Sequence, residues 1–354
     1  MNFFEKNEFL WEKLSKSDKP IVVYGTGDGA DKLFALCERY DIKISGLFAS
    51  SGFVRDRSFR GFKVRSYEDV TAEFPDCIVL LSFAVFRDDM VERIIEISKE
   101  REIYAPDMPL FGGDILDKQA ILENKDSIFS ARERLADEQS KYVFDCILQY
   151  KYTGEIKPLL DCETEREEAF GLLNLPSNPT FLDLGAYDGD TAIEFSQLYP
   201  DFKGIVAVEP DAKNYKKLLR CPLNEDDRFT AINKAVWSHY CELDFSSEGS
   251  RNSHASSGNE NKVLADSIDN FACLLGSKVG YVKMDVEGAE FEAISGMQSV
   301  AEQSPAMCVS AYHKTNDFFD LVNLLGSRLK DSKIYLRHHR YIPAWETNIY
   351  VSHK

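Results

Sequence analysis

The 354-residue chain lacks both an apolar run of the roughly 20 residues that a membrane span needs and the basic start and apolar core of a signal peptide. We therefore expect a cytoplasmic protein with no membrane span. Positive charge is also scarce, since 42 Lys and Arg stand against 59 Asp and Glu, a net charge of −17. Nucleic-acid binding depends on clustered Lys and Arg. The composition therefore favours a small-molecule or glycan substrate and no nucleic-acid partner.

The eight cysteines form no Cys-x-x-Cys pair and show no zinc-ligand spacing. Several lie inside apolar runs, where a free thiol behaves as a small hydrophobic group. We predict buried, reduced cysteines rather than disulfides or a zinc site.

Two separate series of alternating strand and helix patterns predict two α/β domains. The first series, over residues 20–105, starts with an apolar run that leads into the glycine-rich turn 25–30. Strand–helix–strand repeats of this kind indicate a parallel sheet with right-handed crossovers. Residues 106–178 carry no strand signal, but they contain a helical pattern at 131–152. The predicted domains are therefore a Rossmann-like domain at 1–105, a helical connector at 106–178 and a second α/β domain at 179–354.

The second series contains seven strand candidates and ends in two runs, 333–336 and 348–351, with no helix between them that could make a parallel crossover. These two runs should pair as an antiparallel hairpin. Seven strands ending in such a hairpin are typical of class I methyltransferases that use S-adenosylmethionine. The predicted fold class is therefore α/β, with two doubly wound Rossmann-like domains. Residues 246–261 are rich in Ser, Gly and Asn and indicate a long mobile loop.

The motif DLGAYDGDT (183–191) places an acidic residue at the end of a strand, just before a glycine-containing turn. Glycine lets the backbone approach a ligand closely. Asp183 can hold an ammonium group, whereas the acids Asp188 and Asp190 beside it would repel a pyrophosphate. The turn therefore favours a zwitterionic cofactor such as S-adenosylmethionine over NAD. The alternative is a plain strand-to-helix turn capped by Asp190.

Charged residues also follow the later strands of the second series. Glu209 ends the next strand, where an acid bridges the ribose hydroxyls in doubly wound folds. Lys283 and Asp285 lie two residues apart on one strand face, and Glu290 follows on a helix. So many charges at a buried strand end need a ligand or one another. His313 follows the next strand and is our first candidate for a general base.

Residues 180–351 resemble the FkbM family of methyltransferases, whose members methylate hydroxyls, often on sugars or sugar-decorated natural products. The matching pieces are DLGAYDGDT (183–191), VEPD (208–211), INKAV (232–236), DSID (266–269), KMDVEGAE (283–290) and the region of His313. The resemblance implies S-adenosylmethionine as cofactor, and a substrate-facing group made of His313, Asp285 and Glu287. The cofactor-binding residues that we predict are Asp183, Gly185, Ala186, Tyr187, Asp188, Thr191, Glu209, Pro210, Asn233, Ala235 and Asp285.

The implied reaction is in-line attack by a hydroxyl oxygen on the sulfonium methyl group, in which positioning supplies most of the catalysis. A base assists, with His313 as the first candidate and Asp285 as the second. A divalent metal held by Asp285, Glu290 and His313 is the alternative, which the sequence does not favour. The late cluster of Arg337, His338, His339, Arg340, Tyr341 and Trp345 fits a sugar-stacking surface and a plain hairpin surface equally well.

The N-terminal turn Gly25-x-Gly27-x-Gly29-Ala30 resembles a dinucleotide fingerprint, but the second strand ends at Phe48 without an acid to hold a ribose. A role in packing, recognition or homo-oligomer formation is favoured for this domain. Two rival functions remain. One is an NAD-dependent sugar-modifying oxidoreductase that uses the N-terminal domain, and the other is a non-enzymatic scaffold of two degenerate Rossmann folds.

Overall fold

The computed structural model describes residues 3–54, 58–111, 114–246, 254–255 and 262–353. The chain forms two compact units. The first contains the described residues up to Lys125 together with Tyr142–Thr164 and His338–Glu346. The second contains Asp126–Lys141, Glu165–Arg337 and the described residues from Thr347 onward. Both units therefore combine segments that are far apart in the sequence, unlike the contiguous ranges 1–105, 106–178 and 179–354.

The helices mostly follow the predicted apolar periodicity. They are α1 (Phe3–Lys6), α2 (Leu10–Ser15), α3 (Asp28–Arg39), α4 (Tyr67–Glu73), α5 (Asp88–Glu100), α6 (Lys118–Glu123), α7 (Lys125–Arg134), α8 (Glu138–Thr153), α9 (Lys157–Asp161), α10 (Arg166–Gly171), α11 (Asp190–Leu198), α12 (Ala212–Leu218), α13 (Ile268–Ala272), α14 (Glu290–Ser295), α15 (Ser299–Glu302) and α16 (Asp317–Arg328). Single 3₁₀ turns lie at Ser51–Phe53, Pro222–Glu225 and Cys273–Leu275. Within the described residues, none of the helices has the length and apolarity to cross a membrane.

The first unit is built on a four-stranded sheet whose neighbours pair in parallel. Its strands are β1 (Ile21–Tyr24), β2 (Ile44–Phe48), β3 (Ser58–Phe59), β4 (Phe62–Lys63), β5 (Ile78–Leu81) and β6 (Ile103–Tyr104). The sheet order is β2-β1-β5-β6, and β3 and β4 form a separate two-stranded hairpin. The apolar runs that predicted three of these strands are buried in it.

The glycine-rich turn of the first unit serves close packing at two of its glycines. A Cβ atom on Gly29 would collide with the backbone of Ser82, and one on Gly25 would collide with the Ser82 side chain. Only Gly27 faces open space. Close packing within the first unit therefore requires glycine at positions 25 and 29.

The second unit contains the longest sheet of the described chain. Its strands are β7 (Thr180–Leu184), β8 (Gly204–Val208), β9 (Phe229–Ile232), β10 (Ala235–Val236), β11 (Cys241–Ser246), β12 (His254–Ala255), β13 (Lys262–Asp266), β14 (Tyr281–Met284), β15 (Ala306–Ser310), β16 (Ser332–His338) and β17 (Thr347–His353). The main sheet has seven strands in the order β16-β17-β15-β14-β7-β8-β9. Strands β15, β14, β7, β8 and β9 run parallel, whereas β17 is antiparallel to β15.

A smaller sheet of order β10-β13-β11-β12 belongs to the same unit. The predicted loop 246–261 lies outside the described residues, apart from residue 246 at the end of β11 and the two residues of β12.

The main core of the second unit is aromatic at its centre. The ring of Phe181 stacks on that of Tyr281 with their centroids 4.8 Å apart, and Phe195 from α11 packs against both rings. Because Phe181 and Tyr281 pair in register on β7 and β14, this cluster fixes the two strands beside each other. It therefore holds the carboxyl ends of these strands, and the residues that follow them, at one edge of the sheet.

The predicted helix 131–152 is interrupted, because α7 ends at Arg134 and α8 begins at Glu138. In the break, Leu135 is buried and forms an isolated bridge with Ile334. The carboxylate of Asp137 then accepts a hydrogen bond from the backbone N–H of Ser140, as an N-terminal capping residue does. At the interruption the helix is broken, but the chain gains the bridge between Leu135 and Ile334 and the cap that Asp137 provides for α8.

Candidate active site

The two strongest motifs follow β7 and β14, which are neighbours at the point where the strand order reverses. From β7 the chain proceeds outward through β8 and β9, and it later returns to β14 on the other side of β7. In open α/β sheets, ligands bind in the crevice at the carboxyl ends of the strands at such a switch point. The candidate site is therefore built from residues 183–191 and 283–290.

The turn after β7 has the backbone of a close-approach site. Gly185 has a φ of +84° and Gly189 a φ of +91°, and Tyr187 between them has a φ of 50°, which is rare for a residue with a side chain. A Cβ atom on Gly185 would collide with the carbonyl oxygen of Asp285. Glycine is therefore required where the turns after β7 and β14 meet.

Asp183 is completely buried, and neither of its carboxylate oxygens has a hydrogen-bond partner within the described residues. Lys283 pairs with it in register across β14 and β7, with Nζ 3.8 Å from Oδ1 of Asp183. Burial raises the pKa of Asp183 to about 6, although the charge of Lys283 opposes this rise. Burial acts to lower the pKa of Lys283, but neighbouring carboxylates outweigh it and the pKa of Lys283 is raised.

A buried acceptor without a partner is costly unless a ligand satisfies it. The carboxylate of Asp183 therefore has the position and the free acceptors to hold a cationic group such as an ammonium.

Glu209 follows β8 and is also buried. Its carboxylate accepts hydrogen bonds from the backbone N–H groups of Asp211, at 2.8 Å, and Tyr187, at 2.9 Å. Burial raises the pKa of Glu209 to about 7, and the two backbone hydrogen bonds act in the opposite direction. Glu209 thus joins the turn after β7 to the turn after β8, and it lies where the sequence predicted a ribose contact.

The other predicted cofactor residues lie around these two turns. The backbone N–H of Ala186 donates to Val208, and the Asn233 side chain donates to the carbonyl oxygens of Glu209 and Pro210. Asp188 is half-buried before α11, Thr191 lies in its first turn, and Ala235 is buried in β10, where it pairs with Ala265. Asn233 is exposed, and its two hydrogen bonds hold the loop after β8 in place.

A second group of polar side chains lies around His313, which is buried after β15. Its Nε2 atom lies 3.3 Å from Oδ1 of Asp285 and 3.3 Å from Oε2 of Glu287. Its Nδ1 atom lies 2.9 Å from Oε1 of Glu290, the first residue of α14. The structure thus brings together the three predicted substrate-facing residues and adds Glu290 behind them.

The carboxylates control the charge of this histidine. Burial acts to lower the pKa of His313, but the three carboxylates outweigh it and raise this pKa well above its usual range. Burial also raises the pKa of Glu287, and the hydrogen bond with His313 moderates the rise. Glu287 has a φ of 53°, so a sparsely populated backbone conformation holds it toward the histidine.

Accessibility separates the members of this cluster into two layers. The side chains of His313 and Glu290 are each only 1% exposed, whereas those of Asp285 and Glu287 are 29% and 25% exposed. A substrate can therefore reach the two outer carboxylates, and His313 lies behind them. This placement does not fit the first-candidate role of His313 as the general base, because a base must touch the proton that it removes.

Two site residues escaped the sequence analysis. The Tyr312 hydroxyl donates to Oδ2 of Asp285 at 3.3 Å, and Lys217 from α12 donates to the Tyr187 hydroxyl at 3.2 Å. Tyr312 directly precedes His313, so its position next to a predicted site residue could have identified it. Lys217 carried no such signal, because only the fold brings α12 next to the turn after β7.

The first three residues of the late cluster 337–345 fit neither of its two predicted roles, whereas Arg340, Tyr341 and Trp345 are at least partly exposed. Arg337, His338 and His339 are buried, and Arg337 forms an ion pair with Asp137 at 2.7 Å. His339 makes a hydrogen bond with the carbonyl oxygen of Thr164 through Nδ1. These side chains are internal supports rather than a hairpin surface or a sugar-stacking face. Tyr341 stacks on Phe86 and also contacts Trp345.

The parallel sheet of the second unit, its antiparallel strand β17 and the acidic turns at its switch point define an α/β methyltransferase-type unit. Residues 183–343 match the family model described as the methyltransferase FkbM domain. The resemblance of the C-terminal half to the FkbM family, which its motifs indicated, is therefore confirmed.

One solved structure shares the fold of this chain over nearly its whole length. The FkbM methyltransferase of Methylobacillus flagellatus KT aligns over 96% of this chain and 92% of its own, with 19% identity and a TM-score of 0.73. Precorrin-6y C5,15-methyltransferase of Geobacter metallireducens GS-15 aligns over 52% of this chain and 84% of its own, with 14% identity and a TM-score of 0.31. Among curated proteins, no sequence matches this chain.

Proposed function

We propose that this protein transfers a methyl group from S-adenosylmethionine to a hydroxyl of a sugar, a glycan or a glycosylated natural product. The observation that carries the proposal is the buried Asp183 carboxylate, which accepts no hydrogen bond from the described residues and lies beside the close-approach glycine Gly185 at the switch point. S-Adenosylmethionine ends in an amino acid, whose ammonium group suits a buried carboxylate better than a pyrophosphate does.

The residues present fit this cofactor in their chemistry. Asp183 would accept hydrogen bonds from the ammonium group, and Glu209 would accept them from the ribose hydroxyls. Lys283 is buried next to Asp183 and offers a positive charge to the carboxylate of the same amino acid part. When bound, the cofactor supplies an electrophilic methyl group. The chain then has to orient the acceptor hydroxyl and keep water away from it.

The accessible carboxylates Asp285 and Glu287 support a hydroxyl acceptor. A neutral hydroxyl is a weak nucleophile, and a carboxylate within hydrogen-bond reach can accept its proton as the oxygen attacks. We infer that Asp285 or Glu287 does this, and that His313 holds both side chains in position. The proposed general base is therefore Asp285, the second candidate from the sequence, or its neighbour Glu287. His313, the first candidate, takes a positioning role instead.

The test is calorimetric titration of the purified chain with S-adenosylhomocysteine, the product form of the cofactor. We expect one site in the wild type and a 10–100-fold weaker site in Asp183→Asn, because a charge-assisted contact contributes about 1.5–3 kcal/mol. Asp190→Asn is the matched control, since its exposed carboxylate lies on the same turn. Equal affinity in the wild type and Asp183→Asn would contradict the proposed cofactor site.

The acceptor and the rival functions are tested on the same samples. Sugars and glycosides incubated with isotope-labelled S-adenosylmethionine should gain one methyl group per hydroxyl, visible by mass spectrometry. A titration with NAD tests the oxidoreductase alternative. Binding of NAD without S-adenosylhomocysteine would move the active site to the first unit, and binding of neither ligand would favour the scaffold.

A further inference from the structure

We propose that Asp285, Glu287 and His313 form a binding site for one divalent cation, and that Glu290 orients the histidine from behind. This goes beyond the sequence analysis, which did not favour a metal. The use of the ion, holding the acceptor hydroxyl, rests on the proposed function, but its binding does not.

The spacing of the three inner atoms matches the ligand sphere of such an ion. Nε2 of His313 lies 3.3 Å from a carboxylate oxygen of Asp285 and 3.3 Å from one of Glu287. Two ligands at right angles around an ion are about 3.0–3.3 Å apart when the ion–ligand bonds measure about 2.1–2.3 Å, between the bond lengths of Mg²⁺ and Ca²⁺. Both of these nitrogen–oxygen pairs therefore have the spacing of two neighbouring ligands of one ion.

Two oxygens of the cluster have no hydrogen-bond partner within the described residues. Oε2 of Glu290 is such an atom, on a side chain that is 1% exposed, and Oδ1 of Asp285 is the other. Oδ1 is also the Asp285 atom nearest to His313, because Oδ2 is held by Tyr312. Buried carboxylate oxygens without donors are costly. A divalent cation would satisfy Oδ1 directly and would offset the excess of negative charge.

The other ring nitrogen of His313 supports the same assignment. Histidines that bind metals usually donate their second N–H to a carboxylate, which fixes the tautomer and the orientation of the ring. Nδ1 of His313 lies 2.9 Å from the buried Oε1 of Glu290, so Glu290 has the position of this outer carboxylate. A cation would replace the proton on Nε2, whose lone pair would then be directed to the side where Asp285 and Glu287 lie.

The site is open on one side only. Asp285 and Glu287 are partly exposed, whereas His313 and Glu290 are closed off by the protein. An ion held here would keep coordination positions toward the solvent for a hydroxyl of the acceptor. Two carboxylates and one imidazole are a mixed oxygen and nitrogen set, which suits Mn²⁺ and Mg²⁺ better than thiol-preferring ions.

The experiment measures Mn²⁺ binding to the full chain by electron paramagnetic resonance in 0.1 M KCl, where free Mn²⁺ gives a signal that bound Mn²⁺ loses. We expect one Mn²⁺ per chain in the wild type. Glu287→Gln, at a partly exposed position, should weaken this binding at least tenfold. Glu292→Gln is the matched control, because Glu292 lies on the helix α14 that follows Glu287 but faces Lys314 at 3.8 Å. It should bind Mn²⁺ as the wild type does.

Two outcomes would overturn the cation site: no stoichiometric Mn²⁺ binding in the wild type, or equal affinity in Glu287→Gln. The second would show that Mn²⁺ binds elsewhere on this acidic chain. Titration of the same samples with S-adenosylhomocysteine separates this inference from the proposed function. Cofactor binding without a Mn²⁺ site contradicts only the cation, whereas a Mn²⁺ site without cofactor binding contradicts only the methyltransferase assignment. If Glu287→Gln lost both Mn²⁺ binding and S-adenosylhomocysteine binding, circular dichroism would test whether this variant is folded. Asp285→Asn would then be measured as a second variant of the site.

Discussion

Glu209 is the residue whose protonation should govern cofactor affinity between pH 7 and 8, because the pKa of Asp183 is lower, at about 6. Burial raises the pKa of this carboxyl group to about 7 in the free protein. Only the ionised carboxylate accepts hydrogen bonds from two ribose hydroxyls, so cofactor binding favours loss of the proton. Affinity for S-adenosylhomocysteine should therefore rise with pH through about 7 and level off toward pH 8.

The expected size of this effect is about tenfold weaker binding at pH 6 than at pH 8, because about one tenth of a group with this pKa is ionised one unit below it. Calorimetry at pH 6, 7 and 8 measures the change. Glu209→Gln should bind weakly at every pH and lose the dependence between pH 7 and 8. A wild-type affinity that is flat over the whole range would contradict the role of Glu209.

Gly185 is the residue at which backbone geometry should matter most. Alanine at this position would combine the cost of a φ of +84° with a collision against the Asp285 carbonyl oxygen. We expect Gly185→Ala to lose more than about 3 kcal/mol of unfolding free energy and to lose cofactor binding. Urea unfolding followed by circular dichroism measures the loss.

Gly276→Ala is the control for this substitution. Gly276 also has a positive φ, +61°, but a Cβ atom there would meet open space. It should cost only about 1–2 kcal/mol, the strain of the left-handed backbone. Similar losses at both positions would show that the contact between the turns after β7 and β14 is not tight.

At the scale of elements, Arg337 connects the start of α8 to the last strands of the sheet. Its guanidinium forms an ion pair with Asp137 and donates a 2.6 Å hydrogen bond to the Ser140 hydroxyl, although the side chain is only 2% exposed. Removing Arg337 deletes these charge-assisted contacts, which costs about 1.5–3 kcal/mol, because Asp137 is 35% exposed and water can still solvate its charge. Arg337→Ala should therefore lower the unfolding free energy by that amount.

The neighbouring Arg340→Ala is the matched control for this prediction. Arg340 is 42% exposed, and its ion pair with Asp88 is also near the solvent. Exposed pairs contribute about 0–1 kcal/mol. Thermal unfolding of both variants should show a clear loss of stability for Arg337→Ala and little change for Arg340→Ala. A loss of the same size in both would mean that the burial of Arg337 has little energetic consequence.

The central strands of the two main sheets could be predicted from the sequence because each is a short apolar run that the sheet buries on both faces. Residues 181–184 and 281–284 are examples, and their charged ends identified the site. The role of Arg337 could not be predicted in the same way. Its partners Asp137 and Ser140 lie about 200 residues earlier in the chain, and no local pattern connects them. The break between α7 and α8 was missed for the same reason.

The layering of the His313 cluster also required the fold. The motif KMDVEGAE and the nearby histidine indicated which residues meet, but not that His313 and Glu290 lie behind Asp285 and Glu287. That order depends on where α14 begins and on the left-handed backbone of Glu287. Sequence spacing therefore identified the members of the site but not the depth of each side chain.

For the whole molecule, the interleaved units predict how the chain can be divided. The sequence places a domain boundary near residue 178, but the second unit also includes Asp126–Lys141. Within this unit, the side chain of Asn323 donates to the carbonyl oxygen of Ser127, and the backbone N–H of Ala136 donates to that of Ile334. Arg337 likewise depends on this segment, because its ion-pair partner is Asp137.

A fragment of residues 179–354 should therefore fail to fold cooperatively, because it keeps the buried Arg337 and removes its carboxylate partner. A fragment of residues 126–354 restores these contacts and should show a cooperative thermal transition with S-adenosylhomocysteine binding. Circular dichroism and calorimetry on both fragments measure this difference. Cooperative unfolding and full-chain cofactor affinity in the shorter fragment would mean that Asp126–Lys141 is an attachment to the methyltransferase unit rather than one of its parts.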